Sequence, residues 1–576
     1  MSGLITPEEL ESLLGDPGDD TNPYGFAAAV GRDERDEFPA ALCEELRWAG
    51  FHLNYLPKEW GGAFESFDRS LTLVRSAARR DVNVMPGTMF SIIAATCLQL
   101  HGTPRQQRRA AEILCRGGAV AFALTEAGHG SDLLANEVRL TPDGRLNGEK
   151  WMVGLGMRCE AVYVIARTGE RGPGAFSAVL LDLADVPEGQ LERVPAPRTG
   201  GMRGIDLAYL RFNGLRVPEE ALVGKEGEGL EAAVKAQQAV RLMSMAGSLG
   251  CADTAVRLTL DFATGRRVGR TVLTQSPHPR RELAVAAAAL LAADAVALTA
   301  ARGIHAAPEA FSVWAPAAKH VVAEASDELI RRCGTVLATR SVLREGQRGA
   351  GLFQKLQRDS AVVRVIDAST LANLRSYAGQ LPTLTEGDAQ PDPVAVAVLL
   401  SGFSLDAELP AYEPARLDMF ARGVDPVLAG LPDVAGAVTG ALGDEQATAP
   451  VVALAQQLAA AVAGLGDLTR AARRPGADPN ELVDTAERYA WLHAAASCLH
   501  LWWANQDRSL YGTQPGSAGW LGATLGYLLA RADGVDPRHQ GPVLLPALDA
   551  VVALREANQL FSALPVRLAT ATEEES

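Results

Sequence analysis

The segment Ala121-Phe-Ala-Leu-Thr125-Glu-Ala-Gly128-His-Gly130-Ser131-Asp132 contains residue types that can bind a polar ligand. Glycines lack a Cβ, so they let backbone N–H groups come close to an anionic or polar group. The Thr125 hydroxyl can donate or accept a hydrogen bond, whichever the ligand requires. The segment therefore predicts a binding loop that follows a short strand.

Other patterns are less specific. Gly224, Gly227 and Gly229 have part of the spacing of a dinucleotide loop, but they lack a strand–helix–strand context, which favours a domain hinge. His493 and His500 have no acidic or thiol ligands at metal spacing, so we interpret them as core or interface residues and predict no metal site.

The seven cysteines are scattered without a C-x-x-C pair, which indicates buried or idle thiols in a reducing compartment.

The elements that must position this loop change in type along the chain. Apolar residues recur at helical spacing from 27 to 116, short β-rich runs follow at 161–166, 176–182 and 207–212, and helical patterns return from 229 to 381. Residues 380–393 form a polar, proline-containing connection, and the remaining chain is again helical. We predict four domains: 1–118 helical, 119–228 a β-barrel, 229–383 a four-helix bundle, and 394–576 an additional helical extension.

Composition limits the possible partners and compartment. The 576 residues have a formal net charge of −15, and no long basic run offers a grip on nucleic acid phosphate or anionic lipid. The N-terminus lacks a basic region followed by an apolar core, and Leu283–Ala301 is alanine-rich and interrupted by Asp294, which favours a packed helix over a membrane span. We expect a cytoplasmic protein without nucleic acid or membrane partners.

Six ordered motifs resemble those of the acyl-CoA dehydrogenase family over about residues 25 to 380. The 121–132 segment resembles the family's [F/Y]-x-[L/V]-T-E-x-x-x-G-S-D. The others are Leu56-Pro-Lys-Glu-Trp-Gly-Gly62, His101-Gly-Thr103 with Gln106, Gly148-Glu-Lys150, Gly201-Met-Arg-Gly-Ile-Asp206, and Leu222-Val-Gly224-Lys-Glu-Gly227-Glu-Gly229.

The resemblance implies an N-terminal helical domain, a central β-barrel and a four-helix bundle that bind FAD. It implies α,β-dehydrogenation of an acyl thioester, in which a carboxylate removes the α proton and the β hydrogen leaves as hydride to the flavin. It implies flavin contacts at Phe122, Leu124 and Thr125, and substrate contacts at Gly130 and Ser131.

In the commonest branch of the family the base is the Glu of an R-D-x7-E-G-T segment. Counting from Arg358-Asp359 places Asp367 at that position. Aspartate is one methylene shorter than glutamate, and a misplacement of about 1 Å can cost about a hundredfold in rate. Nitroalkane oxidases are the related branch known for an aspartate base. The resemblance assigns Asp367 as the catalytic base, and the alternative is a solvated helix residue in a degenerate site.

Several positions depart from the family pattern. Met152 occupies the slot of the family's flavin-contacting Trp, and Gly154 occupies the slot of a hydroxyl residue. Trp151 can replace that Trp only if the strand slips by one residue or contains a bulge, because side chains alternate between the two faces of a strand. Arg266 and Gly334 belong to two reduced motifs that normally help hold a neighbouring subunit's FAD.

The C-terminal region predicts a homodimer, but the sequence does not distinguish coenzyme A from a carrier protein as the carrier of the acyl group. Some longer family members have a helical extension of this size that packs on the main body and limits assembly to dimers, so we expect a homodimer. The resemblance implies that the substrate is an acyl-CoA or an acyl-carrier protein thioester and that an electron-transfer partner or oxygen reoxidises the flavin. Arg340, Arg344 and Arg348 could form a basic stripe for phosphopantetheine or an acidic carrier, or a solvated helix face.

Two other functions remain open at this point. One is a flavin-dependent oxidase or monooxygenase of nitroalkane-oxidase type. The other is a non-catalytic scaffold of the same family whose site has decayed and whose helical extension mediates assembly or nucleic-acid contact.

Overall fold

A computed structural model describes residues 4–346, 349–387, 391–443 and 446–570 of the chain. The composition of Thr570–Ser576 predicts a frayed polar tail, of which residues 571–576 lie outside the described residues, as does Arg348. The chain forms two compact units. The first comprises Ala28–Glu65 and Asp81–Val240 together with the chain up to Thr6, and the second comprises Pro7–Ala27, Ser66–Arg80 and the chain from Arg241 onward.

Seven helices precede the sheet, in agreement with the helical spacing of the sequence. Helix α7 shows why these residues form a helix: Thr103 Oγ1 accepts from the Gln106 N–H, and the Thr103 N–H donates to Gln106 Oε1, so each residue satisfies a free backbone N–H. The helices are α1 (Pro7–Leu14), α2 (Phe26–Glu34), α3 (Ala40–Trp48), α4 (Phe67–Ala78), α5 (Val84–Met89), α6 (Ile92–His101) and α7 (Pro104–Cys115).

The first unit contains one mixed sheet in the order β6-β7-β3-β2-β4-β5-β8, with β1 parallel to β4. Among the described residues no pairing joins β6 to β8, so the hydrogen-bonding path of the predicted barrel domain is open. The strands are β1 (Val120–Ala123), β2 (Arg139–Leu140), β3 (Arg145–Gly154), β4 (Ala161–Arg167), β5 (Phe176–Asp182), β6 (Leu191–Pro195), β7 (Leu207–Arg216) and β8 (Leu222–Val223).

Burial along the strands follows their place in the sheet. Strands β4 and β5 are buried at six successive positions each, as expected of strands covered on both faces. Strand β7 alternates between buried and more exposed residues along most of its length, so one face packs on the core. Leu146, Val164, Val179 and Leu210 belong to one apolar cluster that holds the sheet together.

The second unit is built on long helices, as the sequence predicts. A short hairpin of β9 (Arg267–Val268) and β10 (Thr271–Val272) links the first two of them. The helices are α8 (Gly229–Gly265), which belongs to this unit from Arg241 onward, α9 (Pro277–Ala306), α10 (Phe311–Leu337), α11 (Leu352–Val365) and α12 (Thr370–Ala378).

The extension is helical and packs on the bundle helices of the same unit, most extensively on α9 and α10. One expectation is wrong: part of the predicted connection is helical, because Leu381 is completely buried and begins a short helix that packs on α18. The helices are α13 (Leu381–Glu386), α14 (Pro393–Gly402), α15 (Pro426–Ala429), α16 (Leu431–Leu442), α17 (Ala449–Ala463), α18 (Leu465–Ala472), α19 (Glu481–Trp503), α20 (Gly519–Ala532) and α21 (Leu545–Glu556).

Within the described ranges, three helical stretches are long and apolar enough to cross a membrane by length and composition alone: Val84–His101, Pro277–Ala306 and Ala449–Ala472. The apolar window of Pro277–Ala306 is 100% buried within the protein, as expected of a packed helix. The corresponding buried shares are 67% for Val84–His101 and 28% for Ala449–Ala472.

Candidate functional site

Asp367 lies in the turn between α11 and α12 of the second unit. Asp367 and Ala368 both have positive φ, +56° and +98°, which is a strained conformation for residues other than glycine. The side chain of Ser369 then caps α12 by accepting from the Ala372 N–H at 3.3 Å. The turn thus stops one helix, presents the carboxyl group, and starts the next helix.

Two buried cations face Asp367 in the same unit. Burial raises the pKa of Asp367, and the charges of Lys319 and Arg241 oppose that rise. Burial also lowers the pKa of Lys319 to about 7 and that of Arg241 to about 10. Within the part of the chain that the structure describes, Asp367 makes no hydrogen bond or ion pair, so its carboxylate is available to a ligand.

These two cations were not assigned a role from the sequence. The available signal is that Lys319 interrupts an apolar helical run, Val313-Trp-Ala-Pro-Ala-Ala-Lys-His-Val-Val322. A lysine in such a run is rarely buried unless a partner receives its charge.

In the first unit, a buried ion pair shapes the loop predicted to bind the ligand. Lys150 Nζ, which is fully buried, donates to Glu126 Oε1 at 2.7 Å and to the Leu124 carbonyl at 2.9 Å. The Glu126 carboxylate also accepts from the backbone N–H groups of Glu137 and Val138. This ion pair therefore joins both ends of the loop to β3, a scaffolding role that the sequence did not reveal.

The predicted contact residues of this loop differ in exposure. Phe122 is half-buried and stacks on Tyr163, with ring centroids 5.8 Å apart, whereas Leu124 is buried. Thr125 is half-buried, and its hydroxyl forms no hydrogen bond to any described residue. Gly130 and Ser131 are exposed, and a Cβ added at Gly130 would meet no atom within 4 Å. The loop therefore leaves a free hydroxyl and open space beside its backbone.

Strand β3 contains the irregularity that would allow Trp151 to replace the family's Trp. The register with β7 shifts between Lys150 and Val153, and Met152 has a φ of +54°. The Trp151 backbone N–H donates to the Thr125 carbonyl at 2.8 Å. Its indole Nε1 is buried and has no hydrogen-bond partner among the described residues. An unpaired buried donor of this kind is costly unless a ligand or water accepts its proton.

Gly154 lacks the family's hydroxyl for a steric reason. A Cβ at this position would lie 1.8 Å from Cδ2 of Phe90, whose ring packs against the sheet's apolar cluster. No side chain fits at residue 154 while Phe90 holds this position. The space that the side chain of residue 154 would need is therefore filled by the aromatic ring of Phe90, which offers no hydroxyl.

Arg266 and Gly334 lie far from Asp367 along their helices. Arg266 is exposed just beyond α8, about 38 Å along the helix direction from Arg241 at 1.5 Å per residue. Gly334 is about 22 Å along α10 from Lys319, and a Cβ there would make only ordinary contacts with Gln357 and Phe353. These two residues do not belong to the cluster around Asp367, and their predicted FAD contacts remain predictions.

Other candidates are resolved by their surroundings. Arg340 lies in a 3₁₀ turn over the ring of Phe262, and Arg344 follows beyond that turn, so the two do not form a stripe on one helix. His493 and His500 are buried in the extension, as predicted for core residues. Over the described ranges, no three His, Cys, Asp or Glu side chains are grouped so that they could hold a metal ion.

Comparison with known proteins gives matches across most of the first 370 residues. Family models match residues 26–118 (acyl-CoA dehydrogenase, N-terminal domain), 121–215 (middle domain) and 227–370 (C-terminal domain). A mitochondrial isobutyryl-CoA dehydrogenase from Dictyostelium discoideum is 29% identical over 242 residues, which cover 41% of this chain and 57% of that protein. The chain thus spans little more than half the length of this relative.

Two solved structures show the same fold. An acyl-CoA dehydrogenase from Bacillus anthracis, solved with FAD, superposes with a TM-score of 0.69 at 18% identity and covers 96% of both chains. The prolyl acyl carrier protein oxidase AnaB superposes with a TM-score of 0.56 at 18% identity, over 61% of this chain and 93% of that one. The first similarity includes the extension, because it covers nearly the whole chain.

Proposed function

The chain belongs to the acyl-CoA dehydrogenase family, and from that premise we propose that it catalyses FAD-dependent α,β-dehydrogenation of an acyl thioester with Asp367 as the base. One observation carries this proposal. Asp367 is a half-buried carboxyl group with no hydrogen bond or ion pair to the described residues, at a helix end beside two buried cations. A carboxylate with only a structural role would be paired when it is removed from water.

The residues of the first unit fit a flavin ring at its polar edge. The Thr125 hydroxyl and the buried, unpaired Trp151 Nε1 are free to hydrogen-bond, and the space beside Gly130 is open. Gly154 supplies no hydroxyl. When bound, FAD supplies the acceptor for the β hydrogen and its bonding electrons.

The protein's own part of the reaction is proton removal. An oxygen of the Asp367 carboxylate takes the α proton, and the electrons of the broken C–H bond form the α,β double bond as the β hydrogen departs. The positive charges of Lys319 and Arg241 counteract the rise that burial causes in the pKa of Asp367. Because the base works only when ionised, we expect the rate to fall as the pH is lowered through this raised pKa.

The carrier, assembly and location are proposals of the same kind. An acyl-CoA or an acyl-carrier protein thioester fits the proposed chemistry, and an electron-transfer partner or oxygen completes the cycle. We propose a homodimer in the cytoplasm, on the basis of the packed extension and the scattered, buried or half-buried free thiols.

The proposal predicts that Asp367→Asn removes turnover while preserving flavin binding. The amide cannot take the α proton, so flavin reduction by an acyl thioester should slow by a factor of about 10² to 10⁴. The measurement is the visible flavin spectrum of the purified protein with added FAD, followed anaerobically after addition of acyl-CoA and acyl-carrier protein thioesters. Asp467→Asn, the same change at an exposed carboxylate on α18, should bleach like the wild type.

Three outcomes would contradict the proposal. A protein that binds no flavin excludes both the dehydrogenase and an oxidase. Tight flavin that no thioester bleaches, but that turns over a nitroalkane with oxygen uptake, identifies the oxidase. Equal bleaching by wild type and Asp367→Asn would remove Asp367 from the reaction.

A further inference from the structure

Helix α10 holds the turn that carries Asp367 through two side chains. Glu324 accepts from Arg364 Nε at the end of α11 and from Thr370 Oγ1 at the start of α12, both at 2.6 Å. Lys319 Nζ donates to the Ala368 carbonyl between them at 3.0 Å. The turn is therefore attached to α10 at its two ends and at its centre.

The central attachment falls where the backbone is most strained. Ala368, with a φ of +98°, directly follows Asp367, and its carbonyl also accepts from Asn373 Nδ2 at 3.2 Å. Such a backbone conformation persists only when the surrounding structure holds it. Two donors on one carbonyl provide that restraint, and one of them carries a charge.

The charge of Lys319 has few other groups to act on. Its side chain is only 1% exposed, and the charged groups that act on it are Asp367, from the turn after α11, and Arg241, from α8. Two other titratable side chains of α10 have their own partners: Glu324 pairs with Arg364, and His320 lies 3.6 Å from Glu487 of α19.

We propose that Lys319 is a positioning residue for the reaction: it fixes the strained turn through the Ala368 carbonyl, and its ammonium charge keeps the Asp367 carboxylate ionised. The assignment of a reaction rests on the proposed function, whereas the restraint of the turn does not. Lys319 does not exchange a proton with the substrate in this proposal.

The sign of the pH effect follows from the two charges. Lys319 has a pKa of about 7, so it carries its positive charge below that pH, and burial raises the pKa of Asp367 above its ordinary value. Removing a positive charge raises the pKa of a neighbouring carboxyl group, by about 1–3 units for close pairs. The acid limb of kcat/KM should therefore move to higher pH in Lys319→Met, by about one unit, and stay in place in Lys319→Arg.

Asn373→Ala is the matched control, because Asn373 provides a hydrogen bond to the Ala368 carbonyl but no charge. It removes the second donor to the Ala368 carbonyl, so it should lower kcat without moving the acid limb. This comparison separates a charge effect from simple loosening of the turn. Lys319→Arg also guards against misfolding, because it keeps a cation on the same helix if Lys319→Met does not fold.

A second readout needs neither flavin nor substrate. Amide hydrogen exchange of the full-length protein, followed by mass spectrometry, reports the stability of the 366–374 segment. We expect about tenfold faster exchange in this segment for both Lys319→Met and Asn373→Ala, with the sheet of the first unit unchanged.

The outcomes distinguish this inference from the proposed function. If the wild type does not turn over a thioester, the proposed function fails, and the exchange experiment still tests the restraint of the turn. Unchanged exchange in Lys319→Met overturns the positioning role. An active Lys319→Met enzyme with an unmoved acid limb overturns the role of the charge.

Discussion

Asp367 shows how a single residue depends on its immediate neighbours. Its predicted role came from its distance after Arg358-Asp359, but its availability as a base comes from the turn. Positive φ at Asp367 and Ala368, with the Ser369 cap, separates two helices and leaves the carboxylate unpaired among the described residues. Aspartate has a shorter side chain than glutamate, and Asp367 has a backbone conformation that does not occur within a regular α-helix.

Gly154 leads to a prediction at the same scale. Gly154→Ser should destabilise the protein, because its Cβ would overlap the Phe90 ring, and overpacking costs about 1–3 kcal/mol. Phe90→Ala should be destabilising for the opposite reason, since it leaves a cavity. The double variant Phe90→Ala, Gly154→Ser should then be more stable than the sum of the two changes predicts.

Thermal melting of the four proteins in this cycle measures the coupling. Gly156→Ser is not a suitable control, because a Cβ there is also crowded by Ala208 at 2.7 Å. Gly128→Ser is suitable, since a Cβ at Gly128 meets nothing within 4 Å, and it should leave the melting temperature unchanged. Strict additivity of the Phe90 and Gly154 changes would disprove the steric explanation.

At the scale of elements, buried arginines on α4 and directly after its last residue connect this helix to three other parts of the second unit. Arg75 pairs with Asp294 of α9 at 2.5 Å and donates to the Phe561 carbonyl at 2.8 Å, while Arg79 pairs with Asp253 of α8 at 2.8 Å. Burial acts to raise the pKa of Asp253, but the arginines outweigh it and hold that pKa below its ordinary value. Asp294, which interrupts the apolar run of α9, is thus half of a buried ion pair.

Arg75→Met should therefore be strongly destabilising. It leaves the Asp294 carboxylate buried without its cation, and breaking a buried pair in this way costs about 3–5 kcal/mol. Arg35→Gln breaks the exposed pair with Glu37 and should produce no measurable change. The check is the difference in melting temperature at neutral pH, and equal melting of the Arg75 variant and the wild type would contradict the assigned role.

At the scale of the whole chain, the extension is part of the fold of the second unit. Arg302 of α9 donates to the carbonyls of Gly402 at 2.6 Å and Ser404 at 2.7 Å, and Tyr377 of α12 donates to the Ala486 carbonyl at 2.7 Å. These groups are buried by residues that come after 392. Removing the extension would expose both their polar atoms and the apolar faces of α9 and α10.

We accordingly predict that residues 1–392 alone aggregate, although three family models match within this region. Size-exclusion chromatography with light scattering measures the aggregation, and co-expression of 393–576 as a separate chain should restore a soluble complex. A monodisperse 1–392 fragment with a cooperative melt would show that the extension is an independent domain.

The sequence by itself determined the order of helical and β regions and the family, and it singled out the 121–132 loop and Asp367 as the candidate site residues. These follow from local periodicity and from short motifs whose spacing survives divergence. Three strands were predicted at 161–166, 176–182 and 207–212, and they occur as β4, β5 and β7, the last extending to Arg216.

Only the tertiary structure revealed which residues act on these positions. Lys319 is 48 residues before Asp367, Glu126 is 24 before Lys150, and Phe90 is 64 before Gly154, so no local pattern joins them. It also showed that residues 381–386 form a helix, because the burial of Leu381 outweighs the polar composition around it. Burial, pairing of charge and steric exclusion depend on distant parts of the chain, and these decide how the candidate site is held.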